Sequence, residues 1–101
     1  RTLDITQYMR EHPYMFSSDN IRAKFRADRG MITDIVDMFG ENAMFVDADE
    51  NTVTVSTYAN QMALEQFARN FAPNVIMLEP KSLVDKVRRD FEAILKAMEE
   101  K

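Results

Sequence analysis

Hydrophobic and polar residues alternate in two stretches of the chain, residues 20–28 ("NIRAKFRAD") and 52–59 ("TVTVSTYA"). Alternation with a period of two is typical of a β-strand with one buried face. In the first stretch the apolar face carries Ile21, Ala23, Phe25 and Ala27, and the polar face carries Arg22, Lys24 and Arg26. In the second, Val53, Val55 and Thr57 point inward, and Thr54, Ser56 and Tyr58 point outward. Both are predicted to be strands with one face in the core.

Two shorter stretches are apolar on both faces, residues 43–48 ("AMFVDA") and 74–79 ("NVIMLE"). Each is predicted to be an edge strand that carries apolar residues on the otherwise open face of a sheet. Single exposed apolar residues are ordinary, but paired ones suggest a covered surface. The cover is the last helix, another subunit or another domain. The residues predicted to be covered are Phe45, Ile76 and Leu78.

Three stretches repeat apolar residues at helical spacing. Residues 29–40 place Ile32, Ile35, Val36 and Phe39 on one stripe and end at Gly40, a natural helix stop. Asn60 is the predicted N-cap of a helix over 61–72, whose stripe is Leu64, Phe67, Ala68 and Phe71. Ser82 and Asp85 have the spacing of a capping box that opens a final helix of about 18–20 residues. Asp4 and Gln7 have the same spacing and predict a short linker helix ending near His12.

The order of these elements is a short helix, then β-α-β-β-α-β, then a long helix. The central part is the split βαβ, or ferredoxin-like, pattern of the α+β class. Right-handed crossovers place both internal helices on one face of a four-stranded antiparallel sheet with strand order 4-1-3-2. We expect residues 1–19 to be a linker helix and loop, and residues 20–101 to form the ferredoxin-like domain.

Composition sets further bounds. The 101 residues, 46% of them hydrophobic, are enough for one domain with a real core. The absence of cysteine fits a reducing, cytoplasmic setting. The net charge of −4 argues against DNA as a direct partner of this piece, and no apolar run approaches a membrane span. Because the first residue is Arg1, we expect the chain to be part of a longer protein.

The sequence lacks the residue sets that catalysis needs. It has no phosphate-binding glycine loop and no nucleophile elbow, and its one histidine, His12, precedes a proline in the predicted linker. The acidic group Asp47, Asp49 and Glu50 lacks the spacing of a calcium loop and is interpreted as a solvated turn. We therefore expect no enzyme activity, no cofactor and no metal.

Arg22, Lys24 and Arg26 form the best candidate binding surface, with Tyr58 beside them on the neighbouring strand. Alternate residues of a strand emerge from one face about 7 Å apart. The simpler interpretation, which the sequence favours, is a solvated strip that keeps an open sheet soluble. The alternative is a patch that contacts a phosphate-bearing or nucleic-acid effector. RNA-binding domains of this topology use the same face, but with stacking aromatics on both central strands.

The segment "NTVTVSTYANQMALEQFARNFAPNVIMLEPKSLVDKV" resembles the C-terminal extension, called WCX, of bacterial WYL-domain transcriptional regulators. The charged strand "IRAKFRAD", the helix ending near "MFG" and the hairpin "DENTVTVS" belong to the same ordered set, and "LDITQYMREHPYMF" looks like the segment that joins the WYL domain to the extension. One departure is Ala72-Pro73, where a glycine is common after the second helix.

The resemblance implies a parent protein with three parts. A winged helix-turn-helix domain would bind DNA, and a WYL domain would sense a ligand or nucleic acid. The extension would help the effector response and dimer assembly. The alternatives from the residues alone are a stand-alone small-molecule-binding regulatory domain and an RNA-binding module of the same topology.

The final helix is the predicted dimer interface. Five apolar residues recur at the spacing of a coiled-coil seam: Val84, Val87, Phe91, Ile94 and Met98. A helix of this length is too long to match one strand, so its C-terminal turns should extend beyond the sheet. We expect a homodimer through this helix, the alternative being that the helix packs only on its own domain.

Overall fold

The computed structural model describes residues 19–100, and these form the predicted α+β fold. The elements, in chain order, are β1 (Asn20–Asp28), α1 (Ile32–Phe39), β2 (Met44–Ala48), β3 (Thr52–Asn60), α2 (Gln61–Phe71), β4 (Val75–Glu79) and α3 (Lys81–Glu99). Short 3-10 turns, Arg29–Met31 and Gly40–Asn42, flank α1. The predicted linker helix and His12 lie outside the described residues.

The four strands form one antiparallel sheet in the order β2-β3-β1-β4, which confirms the predicted order. The two central strands, β1 and β3, pair without interruption from Asn20 opposite Asn60 to Asp28 opposite Thr52. Because directly opposite residues share a face, the alternation in each strand is locked to that in the other. The arginine and lysine side chains of β1 therefore share the open face with the outward residues of β3.

The core lies between this sheet and the helices on its other face. Phe25, Val55 and Thr57 on the central strands are fully buried, as the alternation predicts. Phe67 lies at the centre of an aromatic cluster, with its ring centroid 5.7 Å from that of Phe25 and 5.1 Å from that of Phe39. Burying each such ring contributes about 1.5–3 kcal/mol to folding.

Two predicted helix boundaries agree with the structure, the end of α1 before the β2–β3 hairpin and the start of α2 after it. Gly40 ends α1 with a positive φ of 55°, a conformation that glycine adopts without a Cβ clash. The Asn60 side chain accepts a hydrogen bond from the Ala63 N–H at 3.2 Å and so caps α2. One stripe position is wrong: Val36 is 47% exposed, because the core reaches only the Ile35 and Phe39 side of α1.

The predicted capping box at Ser82 and Asp85 is also wrong. The N-cap of α3 is Pro80, two residues before Ser82, so the helix begins at Lys81, and no side chain caps it. The Pro80 carbonyl accepts the N–H groups of Leu83 and Val84 at 3.0 and 3.1 Å instead. Asp85 accepts a hydrogen bond from Lys81 at 3.0 Å, so its carboxylate is used within the first turn.

Helix α3 packs beside α2 and runs in the same direction. A charged cluster joins them: Lys86 donates to Glu65 at 3.3 Å and to Asp90 at 2.8 Å, and Arg69 lies 2.6 Å from Asp90. Glu65 is only 7% exposed, so its carboxylate needs these partners. The hydrogen bond to Asp90 raises the pKa of Lys86, and the same bond lowers the pKa of Asp90.

The two edge strands each contain a register shift. In β2 the shift falls between Phe45 and Asp47, so Val46 is the extra residue. In β4, Met77 lies opposite Phe25 and Glu79 opposite Lys24, so Leu78 is the extra residue. A bulge of this kind moves the residues after it to the other face relative to simple alternation. Both bulges change which side chains reach the open face.

Candidate functional site

The open face of the sheet, defined by the outward residues of β1 and β3 and their neighbours, holds the predicted binding residues together. Cross-strand pairing sets Arg22 opposite Tyr58 and Arg26 opposite Thr54. Lys24 lies between them, opposite Ser56. Arg22 and Arg26 are exposed, and Lys24 is half-buried by its neighbours. The three cations and Tyr58 therefore form one continuous row of side chains, as the sequence predicts.

Tyr58 is engaged by Arg22. The guanidinium carbon of Arg22 lies 5.7 Å from the centroid of the Tyr58 ring, within the range of a cation–π contact. Within residues 19–100, Tyr58 is the one aromatic on the open face, and its side chain is still 48% exposed beside Arg22. The arrangement differs from the paired stacking rings of RNA-binding domains with this topology, and it disfavours the RNA-binding alternative.

Acidic residues at both margins of the open face were missed by sequence reasoning. The bulge at Leu78 brings Glu79 opposite Lys24, with its carboxylate oxygen 4.0 Å from the Lys24 ammonium nitrogen. The bulge at Val46 brings Asp47 opposite Thr54 on the other margin. Counted from the observed core-facing positions of Phe45 and Met77, simple alternation would place both carboxylates on the helix-covered face. The sequence contains no signal for either bulge. The face is consequently less positive than β1 alone suggests.

Arg26 is the most available cation of the row. It lies between Thr54 on β3 and Ile76 on β4, neither of which carries charge. Within residues 19–100 no carboxylate forms an ion pair with it, whereas Lys24 has Glu79. A phosphate oxygen can approach Arg26 with the Thr54 hydroxyl as a second donor. Asp47 lies on the other side of Thr54, so this end of the row combines a cation and a hydroxyl with a carboxylate at its margin.

The predicted edge-strand interface is only partly on the open face. Ile76 is 41% exposed opposite Arg26, and Leu78 is 36% exposed at the bulge, so both border the row of cations. Phe45 lies opposite the fully buried Val55 and therefore shares the helix-covered face, at its rim. The register corrects the predicted position of Phe45.

The predicted seam on α3 divides into two parts. Val87 is buried in the domain's own core, and Val84 and Phe91 are packed against that core. This favours the alternative that the N-terminal half of the seam packs on its own domain. Ile94 and Met98 are 46% and 64% exposed. Only the C-terminal part of the predicted interface is free to meet a partner.

The acidic turn between β2 and β3 is held by Asp49. Its carboxylate oxygen accepts the backbone N–H groups of Asn51 at 2.8 Å and Thr52 at 2.7 Å, and these bonds lower the pKa of Asp49. The Asp49 carboxylate thus closes the turn between β2 and β3. Across residues 19–100 no three acidic or histidine side chains are grouped so that they could hold a metal ion.

No protein-family model matches this chain, and no curated protein matches its sequence. None of the helices in the described part of the chain combines the length and apolar character needed to cross a membrane.

Proposed function

We propose that this chain is the C-terminal extension of a WYL-type transcriptional regulator and serves effector response and dimer assembly without catalysis. The DNA-binding helix-turn-helix domain and the WYL domain belong to the same full-length protein in this proposal, and DNA is contacted through the helix-turn-helix domain.

The observation that supports the proposal is the agreement between motif order and fold. The segments that resemble the WYL-associated extension fall, in sequence order, on consecutive elements of a ferredoxin-like sheet. The charged segment "IRAKFRAD" coincides with a central strand whose polar side chains line the open face. A strand in that position can present cations to a neighbouring domain or to a ligand held between the two domains.

The chemistry of the open face favours an anionic effector over a neutral one. Arg26 has a hydroxyl neighbour and no ion-pair partner in the described part of the chain, and Arg22 is held in place by Tyr58. Glu79 and Asp47 at the margins repel anions that spread beyond the row. The face therefore suits a compact phosphate-bearing group or a narrow strand, with the WYL domain supplying the rest of the contact.

Reading the codons upstream of Arg1 tests the architecture. We expect a reading frame that encodes a helix-turn-helix domain and a WYL domain. A start codon immediately before Arg1 would refute the regulator and leave a stand-alone small-molecule-binding domain as the better proposal.

Binding by the full-length regulator tests the role of the open face. With a labelled single-stranded oligonucleotide as the probe, Arg22→Ala with Arg26→Ala should weaken binding and lower the slope of log affinity against log salt by about 0.7 per lost phosphate contact. The folding stability should change by less than about 0.5 kcal/mol per substitution, because both side chains are exposed.

The matched control compares two single variants, each of which removes one positive charge. Arg26→Ala alters the open face, whereas Lys81→Ala removes an exposed cation at the start of α3. Equal affinities and equal salt slopes for the two variants would show that the open face is a solvated strip.

A further inference from the structure

Two cations of the open face each have a carboxylate beside them. Lys24 lies opposite Glu79, whose carboxylate oxygen is 4.0 Å from the Lys24 ammonium nitrogen. Asp28 follows Arg26 by two residues on β1, and both side chains are exposed on the face opposite the buried Ala27. Because alternate residues of a strand share a face, the Cα atoms of Arg26 and Asp28 are about 7 Å apart.

Asp47 is the third carboxylate of the open face. It lies opposite Thr54, which in turn lies opposite Arg26, so the Cα atoms of Asp47 and Arg26 are about 10 Å apart. Within residues 19–100 the outward positions of the four strands therefore carry as many carboxylates as cations, and their formal charges cancel. The cations are Arg22, Lys24 and Arg26, and the carboxylates are Asp28, Asp47 and Glu79.

The pairing of cations with carboxylates affects a chain of phosphates more than a single phosphate. A nucleic-acid strand gains affinity from each phosphate that a cation neutralises. A carboxylate within about 10 Å of that cation repels the same phosphate, because this distance is about one Debye length in 0.1 M salt. A strand that follows β1 would meet Glu79 at Lys24, and it would meet Asp28 and Asp47 at Arg26. A single phosphate needs only one cation, which it binds through short charge-assisted hydrogen bonds.

We propose that Asp28, Asp47 and Glu79 are specificity-determining residues that limit the open face to one phosphate of an effector. They select against a chain of phosphates along β1. The bulges at Val46 and Leu78 acquire a role in this proposal, because they bring two of the three carboxylates to the open face. The inference rests on the proposed function and narrows its anionic effector to one that presents a single phosphate to this face.

The experiment titrates a labelled single-stranded oligonucleotide into the 101-residue chain at several salt concentrations. For the unmodified chain, the slope of log affinity against log salt should correspond to one phosphate contact, about 0.7 in magnitude. Asp47→Asn with Glu79→Gln removes two carboxylates and keeps the size of both side chains. The amide oxygen at position 47 can still accept the Ala48 N–H that the carboxylate accepts at 2.9 Å.

This double variant should bind the oligonucleotide with a slope of about 1.4–2.1, since one or two more phosphates can then be neutralised. At low salt its affinity should also rise by about threefold per substitution, the effect of removing one negative charge about 7 Å from a phosphate in water. The matched control is Asp37→Asn with Glu41→Gln. It changes the net charge by the same amount, but Asp37 lies on α1 and Glu41 in the turn after it, away from the open face. Thermal unfolding verifies that each variant is folded.

A slope of about 2 for the unmodified chain would overturn the inference while leaving the proposed function standing, because the open face would already accept three phosphates. A double variant that binds no better than the control would overturn it too. Binding by the double variant alone would support the role of the carboxylates and refute the open face as an anion site of the natural chain. If neither protein binds, both proposals fail.

Discussion

Replacing Thr57 by valine should stabilise the domain. The Thr57 side chain is fully buried on the core face of β3, and its hydroxyl oxygen has no hydrogen-bond partner among the described residues. Threonine and valine have the same branched shape, so the substitution exchanges the hydroxyl for a methyl group without moving the strand. Val55 and Val53 already occupy the neighbouring inward positions of this strand.

The size of the effect follows from burial. A buried hydroxyl without a partner costs about 1–3 kcal/mol, and a buried methyl group contributes about 0.8 kcal/mol. Allowing for partial relaxation around the hydroxyl, the free energy of unfolding should rise by about 1–2 kcal/mol. In a domain of this size each kcal/mol raises Tm by roughly 4–8 °C.

Urea unfolding followed by circular dichroism measures the change. The midpoint should rise by roughly 0.5–1 M with an unchanged slope. The matched control is Thr54→Val on the same strand, whose side chain lies on the open face and is only half-buried. Its effect should stay within about 0.5 kcal/mol. A less stable Thr57→Val protein would contradict the argument, since it would mean that the hydroxyl is hydrogen-bonded in solution.

Two further predictions concern the helices. Asp90, whose pKa is lowered by the hydrogen bond from Lys86, contributes stability that is present above the unfolded carboxyl pKa and is lost as the pH falls through the lower folded pKa. Asp90→Asn should therefore reduce the fall in Tm as the pH is lowered. An unchanged fall in Tm would show that the ion pairs of Asp90 with Lys86 and Arg69 are not the cause of the acid destabilisation. Asn60→Ala should cost about 1 kcal/mol by removing the cap of α2, whereas Asn60→Ser, which keeps an oxygen acceptor, should lose less in the same urea measurement.

The sequence predicts the central strands correctly because pairing on both sides holds them in register. Every residue of β1 and β3 falls on the face that alternation assigns to it, from Phe25 in the core to Arg26 on the open face. An edge strand has neighbours on one side only and can accommodate an extra residue. Val46 and Leu78 are such residues, and the positions after them, Asp47 and Glu79, could not be predicted from alternation.

The ends of the helices were also predicted correctly at some positions and wrongly at another. Gly40 and Asn60 act where the sequence places them, because a positive φ and a cap depend on local geometry. The capping box at Ser82 failed because Pro80 is already the N-cap of α3, and its carbonyl accepts the N–H groups of Leu83 and Val84. Capping signals are short, and a neighbouring proline is enough to shift the start of a helix.

The N-terminal half of the α3 seam packs in the domain core and the C-terminal half is exposed. The position of α3 along α2 decides this division, and hydrophobic periodicity contains no information about that position. A helix of 11 residues spans about 16 Å and one of 19 residues about 28 Å, so a difference of about 12 Å must extend from one end or the other. The charged cluster decides which end, because Lys86 donates to the nearly buried Glu65 and Arg69 contacts Asp90 only when these residues lie level with one another. Sliding α3 by one turn would separate Lys86 from Glu65 and Asp90 from Arg69, leaving Glu65 only the partners on its own helix, Gln61 and Arg69. The exposure of Ile94, Leu95 and Met98 is thus a consequence of a polar contact two turns away.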